Sequence, residues 1–418
     1  SVSRGLGDVY KRQPFFSGGL GVNIHNYEFL KGNEMVNKLK VRASYGRTGK
    51  ASFPAYAATT MYEALFDEWY ATGFGVVLKA LGNNNLTWEK TDKFNVGIEM
   101  QFLNRRLTVD ADYYHDKTID LVNDVSLSQT SGFSSYKDNM GEVLNQGFEL
   151  QVRGEVFRNR DWLVALWGNM AHNKNKILKI SDSQRAYNQR VKEFYENIVN
   201  EEYGRYNSKY GVPISQYEEG QSLTSIWAVK SLGIDPTTGK EIFLNRDGSV
   251  SDTWNATQEV AVGNTEPKFN GSIGFNAAYK QWSLFAAFQY EWGGQEYNQT
   301  LVDRVENARI QYQNVDLRVL TDRWKQPGDI AQFKDIKNAD SATMPTSRFV
   351  QDKAYLRLSA LTLSYDFNRE WIKKYLGMNM LRLEASTRDF INWNSIRQER
   401  GLSYPKSWTV DFSIKAQF

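Results

Sequence analysis

The sequence contains no cysteine and only three histidines, which stand far apart. Without thiols the chain has no disulfide scaffold, no cysteine-ligated zinc site and no thiol nucleophile. The 51 Lys and Arg residues nearly balance the 48 Asp and Glu residues, which argues against a nucleic-acid binder with its concentrated basic excess. No apolar run approaches the roughly 18 residues of a transmembrane helix. A membrane β-barrel is not excluded, because alternating strands barely affect the mean hydropathy.

Apolar and polar residues alternate along one segment after another. In the last segment Val410, Phe412 and Ile414 alternate with Asp411 and Ser413. A period of two gives a strand one apolar face and one polar face. The phase shifts near Ala360, as a β-bulge would produce. The pattern predicts eleven long strands, at residues 15–25, 37–46, 92–102, 107–115, 147–157, 162–170, 269–279, 282–293, 352–367, 379–390 and 406–418.

The connections between these strands are alternately short and long. Short connections are predicted at residues 26–36, 103–106, 158–161, 280–281 and 368–378, and long ones at 47–91, 116–146, 171–268, 294–351 and 391–405. Most strands are about ten residues long, near the 9–11 of a tilted membrane strand and above the usual 5–6. Short turns at one end and long loops at the other are typical of an antiparallel outer-membrane barrel. A soluble sandwich has no reason to sort its loops in this way.

The odd number of strands indicates an incomplete barrel. Single-chain bacterial barrels have an even number of strands. Either the pattern misses one strand, or this chain is the C-terminal part of a larger barrel. We favour the second interpretation, because residues 1–13 show no pairing pattern. Two other classes stay open: a passive porin-like channel, and a secreted β-rich carbohydrate-binding protein whose apolar faces pack on one another.

The polar face of the strands is predicted to line the barrel lumen. Its candidates are Lys40, Arg42, Asn95, Glu99, Gln101, Asp110, Asp112, Glu149, Gln151, Arg153, Glu155, Arg382, Glu384 and Arg388. Opposite charges on neighbouring strands can pair in ladders, each pair contributing a few tenths to about 1 kcal/mol. We interpret this face mainly as a solvated wall, with contact to an inner domain or to passing substrate as the alternative.

No constellation in the chain favours catalysis. Asp110, Asp112, Asp116 and Asp120 lack any sign of the facing, partly buried pair that glycoside hydrolysis requires. The segment 244–250 resembles a calcium loop but lacks its first acidic ligand, so we expect a turn there. We expect no enzyme activity, no metal and no cofactor.

Aromatic residues are frequent, at 14% of the chain, and two groups of them have distinct interpretations. Those near strand ends are typical of the aromatic girdles of a membrane barrel; they are Trp88, Trp162, Trp282, Tyr290, Trp292 and Trp408. Others lie in the longest loop among amide and carboxylate side chains, where ligand contact, partner contact and loop packing are all open. The candidates for ligand or partner contact are Tyr203, Tyr206, Tyr210, Tyr217, Trp227 and Trp254. Within this loop, residues 222–250 are predicted to form a β-hairpin with turns at 235–240 and 246–249.

Several segments together resemble the SusC/RagA type of TonB-dependent outer-membrane transporter. They are LKVRASYGRTG (39–49), LTWEKTDKFNVGIE (86–99), RLTVDADYYHDKTIDLV (106–122), NQGFEL (145–150), AYLRLSALTLSYDF (354–367) and YPKSWTVDFSIKAQF (404–418). The resemblance covers residues 14–418 and implies about half of a 22-stranded barrel, without the plug domain that precedes it in the family. Residues 1–13 depart from the family, and we expect a non-native or disordered leader there, the alternative being an extracellular loop.

The resemblance implies a role in active nutrient uptake through the outer membrane of a Gram-negative, Bacteroidetes-like cell. The expected partners are a SusD-like surface lipoprotein, the TonB complex acting through the missing plug, outer-membrane lipid, and an oligosaccharide or peptide substrate. The closing strand also resembles the signal read by the barrel-insertion machinery. The residues that would carry this signal are Trp408, Val410, Phe412, Ile414 and Phe418.

Overall fold

The computed structural model describes residues 15–50, 59–70, 73–80, 82–83, 86–126, 135–139, 141–200, 211–312, 314–338, 343–397 and 409–418. The fold is all-β with few helices. The strands are β1 (Phe16–Asn23), β2 (Val36–Lys50), β3 (Met61–Tyr70), β4 (Gly73–Ala80), β5 (Glu89–Phe102), β6 (Leu107–Ile119), β7 (Val122–Ser126), β8 (Ser135–Asn139), β9 (Glu142–Arg158), β10 (Trp162–Lys179), β11 (Ser225–Ala228), β12 (Lys230–Ile234), β13 (Glu241–Leu244), β14 (Val250–Ser251), β15 (Val260–Asn264), β16 (Phe269–Tyr279), β17 (Trp282–Tyr297), β18 (Val350–Asp366), β19 (Met380–Arg388), β20 (Asn392–Asn394) and β21 (Thr409–Gln417).

The helices are short apart from the first. The α-helices are α1 (Asp182–Asn200), α2 (Gln299–Leu301) and α3 (Arg369–Leu376), and α2 continues into a π-helical turn at Val302–Glu306. Short 3₁₀ turns lie at Ile24–Asn26, Ala256–Gln258, Leu317–Leu320, Ile336–Asn338 and Ser347–Phe349. No helix in the described ranges is long and apolar enough to cross a membrane.

One large antiparallel sheet contains all eleven predicted strands. Its order is β1-β2-β5-β6-β9-β10-β16-β17-β18-β19-β21, and the short β20 adds to the free part of β18. The prediction of eleven long, sequentially paired strands is therefore confirmed. Among the described residues, β1 pairs only with β2 and β21 only with β19, so the sheet is an open part of a barrel.

The large apolar side chains of the sheet stand on its outer face and are widely exposed. Leu166 on β10, Ile273 on β16, and Phe412 and Ile414 on β21 each expose about half of their surface or more. Covering such surface with apolar solvent gains roughly 25 cal/mol per Å². Alternation along strands of this length, with the apolar side left bare by the protein, fits a wall that faces hydrocarbon.

A β-bulge interrupts the pairing of β17 with β18, as the shift of phase predicted. Ala287 pairs with Ala360, whereas the next residue, Phe288, pairs with Leu358. Ser359 is the extra residue, and its hydroxyl donates to the carbonyl oxygen of Ala287 at 3.0 Å. The bulge lets the apolar residues on both sides of it keep to the outer face.

Short and long connections sort to opposite ends of the sheet. At the short-turn end, consecutive strands of the sheet are separated in the sequence by residues 24–35, 103–106, 159–161, 280–281 and 367–379. At the long-loop end they are separated by residues 51–88, 120–141, 180–268, 298–349 and 389–408. Most strands also extend further toward the long-loop end than the apolar alternation predicts. For example, β10 continues from the predicted residue 170 to Lys179.

The two longest loops have folded cores of their own. Beyond α1, the loop at 180–268 contains the antiparallel pair β11–β15 and the three-stranded meander β12–β13–β14. Turns at 235–240 and 245–249 connect the meander, close to those predicted. The single hairpin predicted over 222–250 is wrong in one respect: residues 225–228 leave it and pair with β15, where they are buried.

Candidate functional site

A chain of ion pairs crosses the inner face of the wall on β2, β5 and β6. Glu99 lies 2.6 Å from the ammonium of Lys38 and 3.5 Å from that of Lys40. Arg42 lies 3.4 Å from Glu99 and 2.7 Å from Asp112, which is two strands away. The predicted cross-strand ladder is therefore present, and it fixes the register of these three strands.

Gly97 leaves space for the Arg42–Asp112 ion pair because it has no side chain. In the register of the sheet Gly97 lies between them, opposite Arg42 on β2 and opposite Asp112 on β6. A Cβ atom on Gly97 would lie 2.2 Å from Oδ1 of Asp112 and 2.8 Å from Nε of Arg42. The absence of a side chain here lets the two charges meet above the β5 backbone.

Cations, rather than other carboxylates, pair with Asp112 and Asp116 of β6 and with Asp120, which follows the strand. Asp116 lies 3.7 Å from the Lys93 ammonium, and Asp120 lies 3.0 Å from that of Lys90. No group of three metal-ligating side chains occurs in the part of the chain that the structure describes. Within the segment 244–250, residues 245–249 form a turn in which the backbone N–H of Asn245 donates to the Ser249 carbonyl oxygen at 2.9 Å.

A buried core joins the two longest loops at their bases. Tyr195 of α1 packs edge-to-face on Trp254, with 5.3 Å between ring centroids. The indole Nε1 of Trp254 donates to the carbonyl oxygen of Pro345, in the other loop, at 2.9 Å. Val229 and Met344 complete the contact between the loops. The loops at 180–268 and 298–349 therefore pack against each other, and we call this packed pair of loops the cap.

A buried guanidinium strengthens the same junction. Arg348 lies 2.6 Å from Glu306 and 2.9 Å from Glu241, and the three side chains are at most 13% exposed. Burial alone lowers the pKa of Arg348, but the two carboxylates outweigh it and raise the pKa above its ordinary value. Burial lowers the pKa of nearby Lys334 to about 8. The cluster ties the meander, through Glu241, to the loop at 298–349.

Another buried acid, Glu259, directly precedes β15. Burial raises the pKa of its carboxyl to about 7, although a hydrogen bond donated by Gln216 and the charges of Lys192 and Arg246 act in the opposite direction. Oε1 of Glu259 has no hydrogen-bond partner among the described residues. The carboxyl is therefore able to change protonation near neutral pH.

A polar cleft of about 1050 Å³ opens where the wall is interrupted at the long-loop end. Pairing of β10 with β16 stops at Ala171 and Asn270, whereas β10 and β17 both continue beyond that point. Residues 220–225 and 261–268 fill part of the gap. The lining includes Asn175, Ser222, Glu266, Trp292, Gln295 and Asp352. Sequence reasoning missed this cleft, because the lining residues come from six separate segments of the chain.

The aromatic residues predicted for ligand or partner contact lie in different surroundings. Trp227 is 1% exposed and Trp254 8% exposed, so both pack the loops, one of the three interpretations left open. Tyr217 packs on Tyr187 at 5.8 Å, and its backbone exchanges hydrogen bonds with the Asn188 side chain. Tyr203, Tyr206 and Tyr210 lie outside the described residues. The contact of this group with a ligand or partner stays a prediction.

Four of the five residues predicted as a barrel-assembly signal lie on the edge strand β21 or directly after it. Val410, Phe412, Ile414 and Phe418 are all exposed on its apolar face. Trp408 lies outside the described residues. The arrangement agrees with one continuous apolar stripe on the last strand, and its recognition by insertion machinery stays a prediction.

An open antiparallel sheet with a lipid-facing exterior, short turns at one end and a folded cap of loops at the other defines a segment of an outer-membrane β-barrel wall. Residues 6–386 match the family described as TonB dependent receptor-like, beta-barrel. The chain belongs to this family of outer-membrane transporters, which are not enzymes.

Several proteins that are similar to this chain agree with the assignment to this family. TonB-dependent receptor P3 of Formosa agariphila is 27% identical over 386 residues, which cover 91% of this chain and 37% of that protein. TonB-dependent receptor SusC of Bacteroides thetaiotaomicron is 33% identical over 177 residues, covering 40% of this chain and 17% of SusC. The structure of the RagAB peptide importer in its closed-closed state has the same fold, with a TM-score of 0.76 at 23% identity, over 97% of this chain and 43% of that one. The chain thus spans less than half the length of each of these proteins.

Proposed function

We propose that this chain forms part of the barrel wall and the outer loops of a nutrient importer that takes up oligosaccharides or peptides in a TonB-dependent manner. The observation that carries the proposal is the sorting of the connections: tight turns at one end and a packed, two-loop cap at the other. A passive channel needs only a closed wall, whereas a receptor needs outer loops with a defined shape. The RagAB importer, whose fold this chain shares, carries peptides.

The loop at 298–349 offers a surface for a SusD-like lipoprotein. Several large apolar side chains of this loop are exposed, among them Tyr312 by 83%, Leu317 by 64%, Leu320 by 71% and Ile330 by 95%. Exposed apolar groups of this size on an outer loop are typical of a protein interface. We infer that the partner lipoprotein covers this part of the cap.

The polar cleft is the proposed place of substrate contact on this chain. Its amide and hydroxyl groups suit the hydroxyls of a sugar as well as the backbone of a peptide. Trp292, which is 69% exposed, adds a flat apolar surface at the rim. Both substrate classes therefore belong in the test.

Uptake by cells tests the proposal. The complete gene product that carries this chain is deleted, and accumulation of labelled oligosaccharides and labelled peptides is measured with and without a protonophore. We expect the cells to take up one of the two substrate classes through this protein. Both the deletion and the protonophore should abolish uptake of that class. Uptake that depends on the gene but persists with the protonophore would instead support a passive channel.

The partner surface needs a separate test. Ile330→Glu and Leu320→Glu place charges on the exposed apolar patch, and Gln326→Glu adds the same charge at an exposed polar position nearby. Co-purification of the proposed SusD-like lipoprotein is expected to fall with the first two variants and not with the third. Equal co-purification with all three would contradict the proposed interface.

A further inference from the structure

Aromatic side chains form a continuous belt on the outer face at the short-turn end. Trp162 of β10 packs on Tyr279 of β16 with 4.4 Å between ring centroids. Tyr279 pairs across the hairpin with Trp282 of β17, and Trp282 packs on Tyr365 of β18 at 4.8 Å. This belt coincides with the place where a barrel wall meets the lipid headgroups.

The belt does not stop at the end of β18 but continues onto α3. Tyr365 meets Phe367 edge-to-face at 5.0 Å, and Phe367 stacks on Trp371 of α3 at 6.2 Å. Trp371 in turn lies 5.8 Å from Tyr375, one helical turn further on. Trp371 is 48% and Tyr375 63% exposed, so this side of the helix is apolar and uncovered by the protein.

The helix is held firmly with this side outward. The Asn368 side chain caps its first turn by accepting hydrogen bonds from the backbone amides of Glu370 and Trp371. Gly377, with a left-handed φ of 67°, ends it. Ile372 is fully buried beneath the helix. The orientation of α3 is thus fixed by both ends and by one buried side chain.

Positive charges border the aromatic side. Lys374 lies over the ring of Tyr375 at 5.3 Å, and Lys280, in the hairpin between β16 and β17, lies over the ring of Tyr279 at the same distance. Lys373 is exposed on the opposite side of the helix from Tyr375, since two positions correspond to about 200° of rotation. Aromatic rings beside lysines are the pattern of a helix that lies in a membrane interface and attracts anionic headgroups.

We propose that α3 is a membrane-interfacial helix that docks on the anionic phospholipids of the periplasmic leaflet and extends the aromatic belt of the wall. The argument rests on continuity with the lipid-facing wall and on the charges around the exposed rings. It goes beyond the proposed uptake function, because it concerns how this part of the barrel is seated in the bilayer and needs no substrate or partner.

Two single-cysteine variants test the proposal in the full-length protein, reconstituted in phospholipid vesicles that contain anionic lipid. This chain has no cysteine of its own, so each introduced thiol is unique within it. Tyr375→Cys places a nitroxide label on the aromatic side, and Lys373→Cys places the same label on the opposite side. Power-saturation spectroscopy with oxygen and with a water-soluble relaxant then gives the depth of each label.

The label at position 375 is expected about 5–10 Å inside the boundary between headgroups and acyl chains, and the label at 373 in water. Equal depth at both positions, whether both lie in water or both in lipid, would overturn the proposal. If Tyr375→Cys fails to fold, Trp371→Cys takes its place against the same Lys373→Cys control, with the same expected difference.

Discussion

Arg42 and Asp112 lie on strands that are not neighbours, yet their side chains form an ion pair of 2.7 Å across the intervening β5. They meet because the residue between them in the register is Gly97. Three strands of the inner wall are thereby linked through side chains in addition to their backbone hydrogen bonds.

Gly97→Ala is expected to separate this ion pair. The new methyl group would overlap the ends of both side chains, which are flexible enough to move aside. The cost should therefore be that of a partly exposed ion pair, up to about 1 kcal/mol, and not that of a crowded core. Thermal unfolding of the full-length protein in detergent measures it.

Gly154→Ala is the matched control on β9, where an added Cβ would meet only Leu107 Cδ1 at 3.6 Å and the Arg106 carbonyl oxygen at 4.0 Å, both ordinary contacts. We expect little change in its unfolding temperature. Equal destabilisation by both alanine variants would show that the lower stability comes from replacing a glycine in a strand, and not from separating the Arg42–Asp112 ion pair.

Arg348→Met is expected to loosen the cap. The substitution leaves Glu306 and Glu241 buried without their shared cation, a situation that costs about 3–5 kcal/mol. Hydrogen exchange should accelerate in residues 230–250 and 343–349, which the cation joins.

Lys240→Met provides the comparison, because Lys240 pairs with Asp252 at 3.2 Å while both side chains are at least 60% exposed. Such a pair contributes at most about 1 kcal/mol. If both methionine variants exchange equally fast in these segments, the buried cluster is not what holds the two loops together.

The cap should lose stability as the pH rises toward neutrality. Burial raises the pKa of Glu259 to about 7 in the folded protein, above its ordinary value of 4.5, so the folded state binds the proton more tightly. This contribution is fully present below about pH 4.5 and is lost as the pH rises through 7, by up to about 3 kcal/mol. Hydrogen exchange of the cap at pH 5 and pH 7.5 measures the change.

Glu259→Gln identifies the group responsible, since the amide stays neutral throughout this range. In this variant, the stability of the cap measured by hydrogen exchange should differ less between the two pH values than in the unaltered protein. An unchanged pH dependence would assign the effect to other titrating groups.

The 418-residue chain on its own should not form a stable barrel. Among the described residues the outer edges of β1 and β21 have no partner strand, and lipid offers nothing to satisfy their backbone groups. Expression of the chain alone is expected to give aggregates without the heat-modifiable migration of folded barrels. Recovery of a folded monomer in the absence of detergent would contradict this prediction.

The wall could be predicted from the sequence because each strand carries its own signal. In a strand with hydrocarbon on one side, apolar and polar residues must alternate. The alternation around Ile273 and Phe412 is visible in the local sequence, without knowledge of any distant residue. The same reasoning explains why β10 was predicted too short. Beyond residue 170 the apolar alternation stops, whereas the strand and its pairing with β9 continue.

The loops could not be predicted to the same depth. Trp227 and Trp254 are aromatic residues among polar neighbours, a pattern that a buried core and a binding surface produce equally. The Arg348 cluster and the polar cleft join residues from distant segments. Contacts of this kind leave no periodic pattern in the local sequence from which they could be predicted. The helix α3 did carry a local signal, in the cap at Asn368 and the stop at Gly377.

The central claim is that hydrocarbon covers the outer face of this wall, and a labelling scan along β17 tests it most directly. Single cysteines from residue 283 to residue 291 of the full-length protein are labelled with a small fluorophore, and quenching by brominated lipid is measured in vesicles. Strong quenching is expected at positions 284, 286, 288 and 290, and weak quenching at the positions between them. A profile without this period of two, or with its phase reversed, would contradict the account.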